Sequence, residues 1–168
     1  MPLTMYEASV GPFRRQLNAL EQILVKAATH VAHKGYDPAN LLQARLYPDM
    51  FPLLRQVQIA CDMAKSGAAR LAGMEPPRHE DNETSFDELR ARIGKTLAFV
   101  ASIDRGLVEG SEERPIKVPQ RDRTLELSGR DYLFGYVLPN LYFHAATAYN
   151  ILRHNGVELG KKDFLGGG

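Results

Sequence analysis

One short stretch, LPNLYFHAATAYNILRHNG, places Asn140 and His144 four residues apart, about one turn of helix, in a run otherwise suited to burial. An imidazole and a carboxamide on nearly the same side of a buried helix admit three chemistries. His144 can ligate a metal, serve as general base or acid in a polar pocket, or sit at the core edge held by hydrogen bonds. Pro139 adds another reading for its neighbour. Proline removes a backbone donor and frees a carbonyl, which the Asn140 amide can satisfy at a kink.

A second helical segment supplies possible partners. At about 100° per residue, Leu53, Val57, Ala60, Ala64 and Leu71 form its apolar stripe, bordered by Asp49 and Gln56. Gln58 and Asp62 are expected to point away, to solvent or another subunit. If the two helices face one another, Asp49, Gln56, Asn140 and His144 form one half-buried polar group. His144 and Asp49 are then the catalytic candidates, with Asp49 orienting the imidazole or holding a cation. Gln56 and Asn140 are the ligand-binding candidates, able to hold a carbonyl or carboxylate, and His144 is the candidate metal ligand.

Other reactive side chains have plainer explanations. His30, His33 and His154 lie near helix C-termini, where an imidazolium suits the dipole, and His79 falls in a polar loop. The single cysteine, Cys61, has apolar neighbours at helical spacing and reads as a small buried residue. One cysteine allows no intrachain disulfide, so a reducing cytoplasm is the expected setting. SGAARLAG lacks the Gly, Lys and Ser/Thr order of a phosphate loop, and its small residues suit close helix packing.

The elements that must position these groups are mainly helical. Thr4 and Glu7 form a capping-box pattern ahead of Val10, Phe13, Leu17, Leu20, Leu24, Ala27 and Val31, with Gly35 as the stop. Gly11-Pro12 predicts a kink or a broken first turn in that helix. Asp37-Pro38 opens a short helix. A longer one is expected from Pro48 or Asp49 to Ala72, closed by Gly73. MEPPRHEDNET reads as a loop with little to bury. Ser85 and Glu88 cap a helix with Phe86, Leu89, Ile93, Leu97 and Val100 on its inner face. Ile116–Val118 and Thr124–Leu127 alternate around a polar turn and predict a small hairpin within about 115–128. The last helix starts at Ser128 or Asp131 and ends at Asn155-Gly156, with Phe134, Val137, Leu141, Ala145, Ala148 and Leu152 turned inward. Residues from about 160 to 168 read as a flexible tail, with Phe164 and Leu165 able to pack back.

The result is an all-α fold: a four-helix bundle with a short extra helix and a small β-hairpin before the last helix, in a single domain spanning 1–168. The 21 Lys and Arg balance 20 Asp and Glu without clustering, which gives no basic surface for nucleic acid. No stretch reaches the roughly 18 apolar residues of a membrane span, and the N-terminus has no secretion-signal core. Aromatics cover all sides of the last helix, from Tyr132 through Phe134, Tyr136, Tyr142 and Phe143 to Tyr149. An apolar outer strip of that kind predicts a homodimer.

Three segments, MYEASVGPF, LYPDMFPLLRQVQIACDMAKSGAARLAG and LPNLYFHAATAYNILRHNGVELGKKDFLG, closely resemble the domain of unknown function 1993 family in order and spacing. That family looks like a branch of the DinB/YfiT-like superfamily of four-helix bundles. The resemblance implies a divalent-metal site of three histidines, one on the second helix and two a turn apart on the last, about a dozen residues before a closing glycine. His144 matches the second of that pair, with Gly156 twelve residues on. Asn140 stands where the first would be, and the second helix offers Gln56 and Gln58 in place of histidine. Amide oxygens are weak ligands for zinc or nickel, so the expectation is a degenerate metal site and no cofactor. The function expected is small-molecule binding or an unassigned enzyme activity in a polar pocket around His144. The alternatives are a zinc- or nickel-dependent DinB-type transferase or hydrolase, and a non-catalytic dimeric scaffold.

Overall fold

The computed structural model describes residues 3–167. Four long helices, α1 (Met5–Lys34), α3 (Leu53–Leu71), α4 (Phe86–Ser102) and α7 (Leu138–His154), form the bundle. Short helices α2 (Pro38–Leu42), α5 (Arg105–Val108), α6 (Gly129–Asp131) and α8 (Lys161–Leu165) join or cap them. α3 packs most extensively on α7, and α1 packs on α4. No helix among the described residues is long and apolar enough to cross a membrane.

Local chemistry sets most boundaries. Thr4–Glu7 and Ser85–Glu88 are reciprocal capping boxes, and Asp37 caps α2 ahead of Pro38. Gly35 closes α1 in the left-handed conformation (φ 69°) that only glycine adopts without strain. α1 runs unbroken through Pro12, where a broken turn was expected, because its apolar stripe is buried from Val10 to Val31. α3 starts four residues later than Asp49. Pro52 restricts Phe51 to extended backbone and has no N–H, so the helix begins behind it with Pro52 as N-cap.

The predicted hairpin is present as β1 (Pro115–Pro119) paired antiparallel with β2 (Thr124–Ser128), Ile116 opposite Leu127 and Val118 opposite Leu125. Ser128 then caps α6, which widens into a π-helical turn over Tyr132–Val137 before α7. The wider turn carries an extra residue and rotates what precedes it. Leu133 is therefore fully buried, while Phe134, expected inside, is 48% exposed. Gly67 on α3 makes room for this turn: a Cβ there would meet Val137 at 2.8 Å and Phe13 at 2.9 Å.

Residues 161–165, expected in a flexible tail, form α8 against α1. Lys26 pairs with Asp163 at 2.6 Å and the Phe164 ring meets Tyr149, whereas Leu165 stays 54% exposed. One apolar cluster runs through all four long helices. Cys61 lies inside it, and burial pushes its thiol up to about 12, so the group stays protonated and inert at neutral pH.

Candidate functional site

Gln56 occupies the first turn of α3, directly opposite α7, and is 1% exposed. Its Nε2 donates to the Phe51 carbonyl at 3.0 Å, in the stretch that Pro52 holds extended. That bond fixes which way the amide faces. Its Oε1 is left 2.7 Å from Nδ1 of His144. An amide oxygen only accepts, so Nδ1 carries the proton and Nε2 of the neutral ring keeps its lone pair. Among the described residues Nε2 makes no hydrogen bond, and it is not one of the polar atoms sealed from solvent.

The surroundings reinforce that state. Burial lowers the His144 pKa, and the charge of Arg55 lowers it further, so the ring is neutral at pH 7. The Phe143 ring stands edge-on to the imidazole at 5.2 Å. Phe143 is 57% exposed, so a buried base is bordered by a solvent-facing aromatic ring. Thr147, a neighbour on the same face, returns its hydroxyl to the Phe143 carbonyl at 2.7 Å.

Two of the four grouped residues do not join His144. Asp49 is exposed in the turn before α3 and makes no side-chain hydrogen bond or ion pair among the described residues, so Gln56 takes the orienting role expected of Asp49. The delayed start of α3 is the reason: Asp49 is not on the helix at all. Asn140 donates from Nδ2 to the Tyr136 carbonyl at 2.7 Å, satisfying backbone where the π-helical turn meets α7.

Gln58 and Asp62, expected to face solvent or another subunit, face an ion network within the chain. Arg92 on α4, with a side chain 2% exposed, lies 3.0 Å from Asp62, 2.9 Å from Asp81 and 2.9 Å from Glu83. It also donates to the Glu80 carbonyl at 2.8 Å. Lys65 pairs with Asp62 at 2.8 Å, Gln58 donates to Glu83 at 2.8 Å, and Arg55 pairs with Asp81. The loop between α3 and α4, expected to bury little, is thereby strapped to both helices. A signal was available: Arg92 falls at helical spacing between Leu89 and Thr96, both fully buried.

The residues present do not fit a tight transition-metal ion. Among the described residues no three His, Cys, Asp or Glu gather in an arrangement that could hold a metal ion. At His144 the Gln56 oxygen is already engaged by Nδ1–H, and Asn140, anchored through Nδ2 to the Tyr136 carbonyl, offers only a weak amide oxygen, which leaves a single imidazole donor where zinc or nickel needs several.

With this geometry in view, similarity to known proteins is informative. Residues 5–165 match the family described as Domain of unknown function (DUF1993). The chain belongs to that family. A crystal structure of a DinB family member protein from Shewanella denitrificans is similar to this DUF1993 chain, at 42% identity and a TM-score of 0.86. The match covers 95% of this chain and 90% of that one. The architecture of this DUF1993 protein is thus DinB-like, with the hairpin before the last helix. No curated protein matches it.

Proposed function

We propose that the DUF1993 chain binds a small molecule at His144 Nε2, in a polar pocket bordered by Phe143. The observation that carries this reading is the locked amide of Gln56, which commits Nδ1 to donating and leaves a neutral acceptor nitrogen unpaired among the described residues. Such a nitrogen accepts a hydrogen bond from a ligand hydroxyl or N–H, or takes a proton as general base. The exposed Phe143 ring suits a flat or apolar ligand body. Gln56 acts as a positioning residue through the imidazole.

Nitrogen-15 NMR of the imidazole rings tests this. In the unaltered protein at pH 7, His144 is expected to carry its proton on Nδ1. Small donors such as phenol and pyrazole should shift its resonances saturably, and His144→Ala should abolish binding. Gln56→Leu is expected to lower the unfolding free energy by about 1–3 kcal/mol, because Nδ1–H loses its acceptor. The same change should shift the tautomer toward Nε2–H. A proton on Nε2 in the unaltered protein, or probes that never perturb His144, would sink the proposal.

The reading extends to a cytoplasmic homodimer. Phe134, Tyr142 and Phe143 are 48%, 40% and 57% exposed along the last helical stretch, and Phe143 borders His144. A second copy seated there adds a wall to the pocket. Light scattering should return twice the 18.8 kDa chain mass. A monomer at micromolar concentration rejects this extension.

A further inference from the structure

The loop that straps α3 to α4 leaves a cleft of about 580 Å³ beside the first half of α4, separate from His144. Charged groups line it, and the strap's ion network already engages most of the acids. Glu83 gives one oxygen to Arg92 and the other to Gln58. Glu88 is committed to Thr84 and Ser85 as part of the α4 cap. Glu80 contributes its carbonyl to Arg92 and is the one lining carboxylate whose side chain makes no hydrogen bond or ion pair among the described residues.

The donors are left in surplus. Arg78 and Lys95 line the cleft and join no ion pair or hydrogen bond among the described residues. Nδ1 of His79 and Nε of Arg92 are sealed from water without a partner. Burial is the main cause of a lowered His79 pKa; the charges of Lys65, Lys95 and Arg92 add to it and Asp62 opposes it. A buried Arg92 N–H without an acceptor is costly, and the sealed His79 nitrogen, donor or acceptor according to tautomer, also lacks a partner among the described residues.

We propose that this cleft binds a small oxyanion, the carboxylate or phosphate group of a soluble metabolite, held between Arg78 and Lys95 with His79 at its base. The anion brings an acceptor to the unpaired Arg78 and Lys95, and the cleft volume lies within the usual range for small-molecule sites. His79 meets it by a rotation of the ring, which turns the sealed nitrogen toward the opening.

Thermal unfolding of the full chain in inorganic phosphate, and separately in malonate, tests the proposal against sodium chloride at equal ionic strength. At least one anion should raise the melting temperature saturably beyond the chloride control. A response to phosphate alone assigns a phosphorylated ligand, and a response to malonate alone a carboxylate. The double variant Arg78→Glu, Lys95→Glu alters two residues outside the ion network and should weaken apparent affinity about tenfold or more. Ring resonances of His79 in the unaltered protein should move along the same saturation curve. The proposal is overturned if neither anion exceeds chloride, if the double variant responds equally, or if the His79 resonances stay fixed.

Discussion

Arg92→Met is expected to lower the unfolding free energy by about 3 kcal/mol, read as a drop in the urea midpoint at unchanged slope. The guanidinium side chain is 2% exposed and meets three carboxylates at 2.9–3.0 Å. Methionine fills much of the volume but supplies no charge. Glu83, only 10% exposed, then loses its ionic partner, and Asp62 and Asp81 keep only Lys65 and Arg55. Removing the buried partner is costly because Glu83 remains charged and largely desolvated. Arg90→Met supplies the contrast. That side chain is 38% exposed, its pairs with Glu21 and Asp87 are both 3.5 Å long, and its loss should cost about 0.5 kcal/mol or less. Equal costs at the two positions would refute the argument.

The network also sets an acid dependence. Burial pushes the Asp81 carboxyl up, but hydrogen bonds and charge from Arg55 and Arg92 outweigh it and hold the group below the usual carboxylate range. A folded pKa below the unfolded one means that the stabilisation is present above about pH 4 and is lost as pH falls through the lower folded value. The gap between the unaltered protein and Arg92→Met should therefore narrow in that acid window. At 39% exposure Asp81 itself contributes only about 1 kcal/mol or less.

Gly129→Ala is expected to cost about 3 kcal/mol, a fall of roughly 6–12 °C in melting temperature. A Cβ at this position would fall on the carbonyl oxygen of Ser111 and within 3.0 Å of its carbonyl carbon. Both are backbone atoms, and the chains are tied together beside them by Arg130 N–H donating to the Glu112 carbonyl at 2.9 Å. No side chain can swing aside, so the start of the last helical stretch must lift from the 111–112 turn. Gly94→Ala is the control. An added methyl there meets nothing within 4 Å, and alanine in an exposed helix interior should stabilise by about 0.5–1 kcal/mol. Similar losses from both changes would place the effect in helix propensity and not in close approach.

The sequence by itself determined the bundle. Each long helix carries an apolar stripe at helical spacing, and the capping pairs Thr4–Glu7 and Ser85–Glu88 mark their starts, because capping and periodicity act within a few residues. It also brought out Gln56 and His144 as edges of facing stripes. Tertiary structure alone decided which polar groups meet. Asp49 dropped out because a proline set the start of α3, and Phe134 turned outward because a π-helical turn shifted its register. Gln58 became buried and Asp62 half-buried because the loop from 74 to 85 folds back over them with Arg92, a pairing across 30 residues that no local pattern encodes. Orientation of the Gln56 amide, and with it the free nitrogen of His144, depends on one carbonyl, Phe51, whose position follows from the packed bend before α3. Periodicity reports which face of a helix is apolar. Only the packed chain settles what each polar edge touches.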